Sequence, residues 1–242
     1  MEFSKLWYLS KIGFLDGVPE SASNDVVDCI QHTDYRRGEI IRTPETFRDE
    51  LCFIKTGCVR IFTVNHKGKE FTYSLLGPGS TFGKMKTFSL NVQESYVQAV
   101  DDTHFCSVNE ETFLKLSEKH PTLLQKALQE LSFRLEEREE MLKSLALDHV
   151  RDRIIHLLQT LHNRYYEPRP NQQYHSIHFP LTQQEIANMV GSTREVVSTI
   201  LRELAEEGLV RFPKRKRIDV HDSIIKEDPN PSYIRNLFIE NG

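Results

Sequence analysis

The chain has 242 residues, of which 38% are hydrophobic and 27% charged, a balance typical of a soluble globular protein with a hydrophobic core. The formal net charge of −4 excludes a chain that is basic throughout. No apolar run approaches the roughly 20 residues that span a bilayer, and the N-terminus lacks the apolar stretch and cleavage site of a signal peptide. We therefore expect a cytoplasmic protein with no membrane partner.

Charge is distributed unevenly along the sequence. From Asp148 onward the sequence has 13 Lys and Arg and 13 Asp and Glu, so the excess of negative charge belongs to the part before Asp148. One short run in the second part, over 214–217, is purely basic. Local charge of this kind, rather than the overall balance, is what contacts nucleic-acid phosphates.

Four cysteines stand at positions 29, 52, 58 and 106. Their spacing does not match that of zinc or cluster ligands, and they are too few for a disulfide-rich secreted domain. We expect reduced thiols, buried or half-buried, and no metal site.

Between residues 35 and 110, short segments rich in β-branched and aromatic residues alternate with turns that contain glycine. Regular short strands with glycine turns predict an all-β roll, barrel or sandwich. The predicted strands are Ile40–Ile41, Leu51–Ile54, Val59–Val64, Phe71–Leu76, Tyr96–Val100 and His104–Val108.

A different period begins after residue 110, where leucines recur at alternating steps of four and three. The positions are Leu124, Leu128, Leu131, Leu135, Leu142 and Leu145, with Arg138 in the skipped slot. This pattern is that of a coiled-coil seam, and charged residues flank it on both sides. We expect a helix that pairs with a second copy, in which Arg138 weakens the packing and fixes the register. The alternative is that the stripe packs on its own β-domain.

A second domain is expected to begin where this helix ends. Asp148 is predicted to cap a new helix that carries apolar residues as far as Leu161. A proline-containing loop over Tyr165–Tyr174 and a short strand over Ile177–Phe179 follow it. The expected parts are a β-domain (1–118), a dimerisation helix (119–147) and a C-terminal domain (148–242).

Two consecutive helix-start signals lie in the C-terminal part. Thr182 and Glu185 form a capping box, and Gly191 is suited to end that first helix in the left-handed conformation. Ser192 and Glu195 form a second capping box. Two short helices joined by a three-residue turn make a helix-turn-helix, whose second helix can enter the major groove of DNA.

The segment after these helices predicts a wing. Leu209–Phe212 and Ile218–Val220 alternate as two strands, and Pro213–Arg217 form the tip between them. We expect the basic side chains of the tip to contact DNA phosphates; the alternative is a solvated hairpin turn. They are Lys214, Arg215, Lys216 and Arg217.

Over nearly its whole length the sequence resembles the Crp–Fnr regulators. The most specific part is LTQQEIANMVGSTREVVSTIL, which matches the helix-turn-helix signature of that family. RRGEII, FIKTGCVRIF and LGPGSTFG look like the glycine turns of its cyclic-nucleotide-binding roll. The resemblance implies an α+β protein, with an N-terminal jelly-roll-like β-roll sensor, a long dimerisation helix and a C-terminal winged helix-turn-helix. It also implies double-stranded DNA as a partner, a homodimer, and contact with RNA polymerase if the protein is an activator.

By this resemblance, Arg194 and Glu195 open the recognition helix where the family reads bases. Arginine can bind guanine O6 and N7 together, and glutamate can accept from cytosine N4. Ser198 and Thr199 are expected to face the same groove, although Thr199 stands where the family commonly has Arg. The expected contacts with the DNA backbone in this motif are made by Thr182, Gln183 and Thr193.

The sensor does not match the cyclic-AMP branch of the family. Ser80 stands where that branch has a Glu, and Gln93-Glu94 stand where it has Arg-Ser to hold the phosphate. A carboxylate there would repel phosphate, so we expect no useful binding of cyclic AMP. The closely spaced cysteines of the iron–sulfur branch are absent from the sequence too. Some other small molecule remains possible, and haem is a minor alternative.

If an effector pocket exists, we expect it between the roll and the dimer helix, although each candidate is also suited to an ordinary core or surface role. The candidates are Phe82, Lys84, Met85, Lys86, Tyr96, Leu131 and Leu135.

Two other classes of function compete with a DNA-binding regulator. An enzyme is disfavoured because no nucleophile elbow, HExxH motif, P-loop or dinucleotide fingerprint follows a suitable strand. A ligand-binding scaffold that does not bind DNA is disfavoured by the intact helix-turn-helix. A regulator that is constitutively active, with a vestigial pocket, stays open.

Overall fold

A computed structural model describes residues 18–46, 48–86, 89–90, 94–165, 173–177, 181–214 and 217–225. The chain forms two compact units, Met1–Arg138 and Glu139–Gly242. Among the described residues, no helix is both long enough and apolar enough to cross a bilayer.

The first unit is built on two antiparallel sheets. In spatial order, the five-stranded sheet contains β1 (Gln31–Tyr35), β9 (Thr103–Asn109), β3 (Glu50–Thr56), β6 (Thr81–Lys84) and β7 (Ser89–Leu90). The four-stranded sheet contains β2 (Ile40–Arg42), β8 (Tyr96–Ala99), β4 (Val59–Val64) and β5 (Glu70–Leu76). All six predicted strands are present, which confirms the β-roll.

Three strands escaped prediction, each for its own reason. β1 reads QHTDY and lies at the sheet edge, mostly exposed, so it carries no apolar pattern. β6 overlaps the predicted glycine turn LGPGSTFG, and β7 has only two residues. Gly83 in β6 has φ +147, and a Cβ there would lie 2.2 Å from the backbone oxygen of Glu50. The glycine is therefore required by close strand packing rather than by a turn.

Helices cover the outer face of the five-stranded sheet. They are α1 (Glu20–Cys29), α2 (Glu110–Lys119) and the long α3 (Thr122–Leu147), which ends in the second unit. Strand β3 is buried on both faces because it lies between two layers. Leu51 and Phe53 pack toward the helices, whereas Cys52 and Ile54 pack toward the other sheet. This alternation divides the core into a helix-side cluster around Phe53 and Phe113 and an inter-sheet cluster around Ile54 and Phe82.

The second unit is a winged helix-turn-helix. Its elements are α4 (Val150–Tyr165), β10 (Tyr174–Ile177), α5 (Gln183–Val190), α6 (Arg194–Glu206), β11 (Val210–Arg211), β12 (Ile218–His221) and a 3-10 turn at Asp222–Ile224. The mixed helix and strand content, with a β-roll followed by a long helix and a helix-turn-helix, confirms the predicted fold class. The three strands pair in the order β10, β12, β11, so the wing belongs to a three-stranded sheet rather than to a two-stranded hairpin.

Several predicted boundaries in this unit were wrong by one or a few residues. Helix α4 begins at Val150, and the carbonyl of His149 accepts its first helical bond from Arg153, so Asp148 is not the N-cap. The strand expected over Ile177–Phe179 begins earlier, at Tyr174, because this stretch pairs with β12; residues 178–180 lie outside the described part.

Candidate nucleic-acid interface

The first helix of the motif starts and stops as the sequence indicates. The Thr182 hydroxyl accepts from the backbone N–H of Glu185, and the Glu185 carboxylate accepts from the backbone N–H of Thr182. Gly191 ends α5 in the left-handed conformation, with φ 66 and ψ 35. A tight turn of three residues then places α6 directly after α5.

The second capping box was wrong. Helix α6 begins at Arg194, and its N-cap is Thr193, whose hydroxyl accepts from the backbone N–H of Val196 at 3.4 Å. Ser192 lies one residue too early to cap it. Glu195 therefore has no capping role, and its exposed carboxylate has no hydrogen-bond partner among the described residues. This leaves Glu195 able to accept from a base.

The predicted base-contacting residues share one concave surface, which we call the α6 groove. The groove has a volume of about 540 Å³. It is lined by Gln183, Arg194, Glu195, Ser198, Thr199, Leu201, Arg202, Ala205 and Phe212. All four residues expected to read bases are among them, together with one of the expected phosphate contacts.

The polar groups at the start of α5 and α6 keep hydrogen-bonding capacity for DNA. The hydroxyl oxygens of Thr182 and Thr193 each accept a capping bond, which leaves the hydroxyl proton free to be donated. The Thr199 hydroxyl donates to the carbonyl of Glu195, 3.1 Å away, so it can still accept. These caps stabilise both helix N-termini, which are also favourable places for phosphate oxygens.

The wing tip is described only in part. Lys214 is exposed, and its carbonyl accepts a turn hydrogen bond of 3.1 Å from the backbone N–H of Arg217. Arg215 and Lys216 lie outside the described residues. The nearby Arg211 is committed elsewhere: its guanidinium donates to the buried carboxylate of Asp219 at 2.8 Å and lies 4.3 Å from the centre of the Tyr174 ring.

Sequence reasoning missed two residues that also line the α6 groove. Arg202 follows Arg194 by eight residues, two turns of helix, so the spacing alone places both on one face. Phe212 is an exposed aromatic immediately before the basic tip, with 46% of its surface accessible. Nothing in the sequence shows that it borders α6, because its position depends on the pairing of β11 with β12.

The effector-pocket candidates do not converge in the described structure. Phe82 is fully buried in the inter-sheet cluster, and Met85 is buried in the helix-side cluster. Tyr96 is half-buried against the Phe62 ring, 5.3 Å away. Of the remaining candidates, Lys84, Lys86 and Leu135 are exposed, and Leu131 is half-buried.

Three of the cysteines are buried in the β-roll. Burial raises the pKa of Cys58 to about 12 and that of Cys106 to about 11, and it raises the pKa of Cys52 well above its usual value. These thiols therefore stay protonated at neutral pH and are weak nucleophiles. Cys29 is exposed at the end of α1, contrary to the expected burial.

The leucine stripe of α3 is largely uncovered within one chain. Between 43% and 66% of the surface is accessible at Leu124, Leu128, Leu135 and Leu142. Leu131 instead packs against the helix-side cluster, and the side chain of Leu145 lies 3.4 Å from the point where a Cβ on Gly191 would stand. The stripe therefore divides into four exposed leucines, which we call the α3 stripe, and two that pack within the chain.

Arg138, which the sequence places in the skipped slot of the leucine repeat, contacts the β-roll of its own chain. Its guanidinium donates to the carbonyl of Tyr73 at 3.0 Å and to the hydroxyl of Ser74 at 3.2 Å, and it lies 4.5 Å from the centre of the Tyr73 ring. One turn earlier, the buried Arg134 pairs with Glu130 at 2.7 Å and donates to the carbonyl of Thr81 at 3.5 Å. The two arginines thus hold α3 against its own β-roll.

Comparison with known proteins agrees with both halves of the structure. Residues 32–120 match the cyclic nucleotide-binding domain, and residues 152–223 match the Crp-like helix-turn-helix domain. The cyclic AMP receptor protein of Thermus thermophilus is 30% identical over 178 residues, which are 74% of this chain and 78% of that protein. The global nitrogen regulator of Synechococcus elongatus is 29% identical over 197 residues, 81% of this chain and 87% of that protein.

Solved structures share the fold. FixK2 from Bradyrhizobium japonicum superimposes with a TM-score of 0.70 at 19% identity, over 88% of this chain and 99% of that one. A CooA variant from Carboxydothermus hydrogenoformans superimposes with a TM-score of 0.68 at 23% identity, over 81% of this chain and 86% of that one. With the two domain matches, the relatives and the helix-turn-helix geometry in agreement, the chain belongs to the Crp–Fnr family of transcription regulators.

Proposed function

We propose that this DNA-binding regulator acts as a homodimer on a palindromic operator, with α6 of each copy in the major groove. The family consists of transcription regulators and is not known for enzymes, so a catalytic function is set aside. The observation that carries the proposal is the α6 groove, in which Arg194, Glu195, Ser198 and Thr199 line one continuous surface. The setting would be the cytoplasm, where chromosomal DNA is accessible, with RNA polymerase as a further partner if the protein activates transcription.

The contacts divide into those that read sequence and those that bind the backbone. Arg194 and Glu195 lie in the first turn of α6, the part of a recognition helix that reaches base edges. The hydroxyls of Ser198 and Thr199 follow on the same face. We assign phosphate contacts to Thr182, Gln183, Thr193, Lys214, Arg215, Lys216 and Arg217.

The α3 stripe supports the dimer. Four exposed leucines on one helix leave a strip of apolar surface in water, and burial of the exposed part of each would contribute about 1–2 kcal/mol. A second copy supplies the same stripe, as an interface with two-fold symmetry requires. We accordingly keep the division into a β-roll (1–118), a dimerisation helix (119–147) and a DNA-binding domain (148–242) as part of the proposal.

Cyclic AMP is a poor fit for the sensor. The relative in Thermus thermophilus is named as a cyclic AMP receptor. In this chain Glu94 is an exposed carboxylate, and it stands in the segment where that branch binds phosphate with an Arg. We propose another small-molecule effector. A constitutively active regulator is the second candidate, because Phe82 and Met85 are core residues and because Arg134 and Arg138 fill the contact between α3 and the sheet.

Binding-site selection with the full-length chain tests the function. We expect enrichment of a palindrome with half-sites centred about 10–10.5 base pairs apart. Affinity should fall steeply with salt, because phosphate contacts release counterions. The proposal fails if no duplex is enriched at low ionic strength, with or without cell-extract metabolites. In a parallel calorimetric titration, cyclic AMP should give no heat of binding, and micromolar affinity would contradict that part.

A further inference from the structure

The α6 groove extends well beyond the residues that can read bases. Arg202 and Ala205, on the C-terminal half of α6, line the part of the groove that we call its far end, and Phe212, at the start of the wing, lines the same groove. Helix geometry places Arg202 about 12 Å behind Arg194 along the axis. The major groove is itself about 12 Å wide, so a helix whose first turn touches base edges has reached the bordering sugar-phosphate strand at Arg202.

Phe212 is oriented differently from its neighbours in the wing. Val210 is buried in the core, and Arg211 is held by Asp219 and Tyr174. Phe212 instead lines the α6 groove, with 46% of its surface accessible. The groove thus combines the cation of Arg202 with an exposed aromatic ring, and Lys214 follows Phe212 two residues later.

This combination matches the chemistry of one strand of DNA. A phosphate needs a cation, and the adjoining deoxyribose presents apolar C–H groups to which an aromatic ring can pack. Glu195 is the acidic residue among those that line the groove, and it lies at the opposite, base-reading end. Charge therefore favours a nucleic-acid strand as the occupant of the far end.

We propose that Phe212 packs on a deoxyribose of the strand that flanks each half-site, while Arg202 binds the adjacent phosphate. The pair forms a clamp that adds affinity for any duplex and reads no base. This inference rests on the proposed function and extends its footprint outward from the bases that Arg194 and Glu195 contact.

The test measures equilibrium binding of the full-length chain to the selected operator and to a scrambled duplex, over a range of salt concentrations. Phe212→Ala should weaken both complexes by a similar factor, about 3- to 10-fold, and leave the slope of log K against log salt unchanged. Arg202→Gln should weaken both and reduce the magnitude of that slope by about 1.8, because the dimer loses one phosphate contact at each half-site. Phe212→Leu, which keeps apolar bulk, should lose less than Phe212→Ala, and Leu114→Ala on α2 serves as the control with no expected effect.

Two further arms locate the contact. Operators with randomised flanks should show the same loss for Phe212→Ala, whereas a loss confined to one flanking sequence would mean that the ring reads a base and would overturn the proposal. Unchanged affinity of Phe212→Ala, or a change in its salt slope, would also overturn it. Thermal melting of each variant detects misfolding. If Phe212→Ala is misfolded, the binding of Phe212→Leu is used to judge the proposal. Failure of the wild-type chain to bind any duplex would instead refute the proposed function itself.

Discussion

At the scale of single residues, the starting residue of α6 decides whether the Glu195 carboxylate caps the helix or stays available for DNA. The sequence predicts Ser192 as the cap of α6, whereas the structure has Thr193 in that place, with φ −103 and ψ 156. If Ser192 were the cap, Glu195 would be tied to the helix terminus. Because the helix starts one residue later, the Glu195 carboxylate stays available beside Arg194 in the α6 groove.

Replacing Arg194 tests the reading of bases. Arg194→Ala should relax the preference at one base pair of each half-site and cost about 1–3 kcal/mol of operator binding, because a bidentate contact to a base is lost. Arg151→Ala is the matched control, since Arg151 pairs with Glu207 at 2.6 Å and does not line the groove. Selection that returns the wild-type operator for Arg194→Ala would refute the assignment.

The pH dependence of stability should reveal His162, which is buried in α4 beside His175. Burial lowers the pKa of His162 below its ordinary value of 6.5, and His175 lowers it further, while Asn163 and Asp222 oppose the shift. As pH falls below about 6.5, the unfolded chain binds this proton and the folded chain does not. The free energy of unfolding should therefore fall, by at most about 1.4 kcal/mol per pH unit for one proton.

Denaturant melts of the wild-type chain between pH 7.5 and pH 5.5 measure this loss. His162→Gln should flatten the dependence of the second unit, because the replacement does not titrate. His156→Gln changes an exposed histidine of the same helix and should leave the dependence as in the wild type. Equal slopes for His162→Gln and the wild type would contradict the assignment.

At the scale of elements, burial on both faces explains why β3 was the easiest strand to predict and β1 the hardest. Nearly every side chain of β3 faces a core, so its sequence is a continuous apolar run apart from its ends and Lys55. β1 pairs with β9 at the sheet edge and is mostly exposed, with the Tyr35 ring stacked on Phe105. Propensity cannot detect an element that is held mainly by its neighbour rather than by a pattern of apolar side chains of its own.

Gly83 gives a test of strand packing. Gly83→Ala would place a Cβ 2.2 Å from the backbone oxygen of Glu50, so backbone must shift and we expect a loss of several kcal/mol in the free energy of unfolding. Gly68→Ala is the control: Gly68 also has a positive φ, +76, but nothing lies within 4 Å of the added Cβ. Its cost should be about 1 kcal/mol from backbone strain alone. Similar melting midpoints for both variants would contradict the packing argument.

At the scale of the whole molecule, helix α3 packs on the β-roll with some of its residues and leaves an apolar stripe exposed with others. Buried Leu123 and Ala127 join it to the helix-side cluster, and Arg134 and Arg138 bind it to strands of the roll. The α3 stripe faces away from these contacts and stays exposed in the single chain. A helix that is fastened on one face and apolar on another is suited to carry a dimer interface.

Charges placed in the α3 stripe should separate the dimer. In the double variant that combines Leu128→Arg with Leu135→Arg, each copy loses two apolar contacts and gains like charges across the two-fold axis. We expect the dissociation constant to rise at least about 100-fold, equivalent to about 3 kcal/mol. Sedimentation equilibrium measures this change, and Leu114→Arg, on α2 and outside the stripe, should leave the dimer intact. A double variant that remains dimeric would show that copies associate through another surface.

The sequence by itself predicted the β-roll with six of its strands, the helix-turn-helix after it, and four residues of α6 that line one groove in the structure. Those features depend on local signals: alternation, capping residues, glycine at a left-handed position, and the helical spacing of Arg194 and Ser198. The family followed because the same local signals are arranged in a known order along the chain.

Tertiary structure alone decided which apolar side chains have partners and where distant segments meet. Leu124 and Leu131 stand seven residues apart, at the same position of the leucine repeat, yet Leu131 packs on the helix-side cluster and Leu124 is exposed. Arg138 contacts Tyr73, 65 residues earlier in the sequence, and the position of Phe212 in the α6 groove depends on the pairing of β11 with β12. Such contacts depend on how strands pair and layers pack, and no periodicity within one segment encodes them.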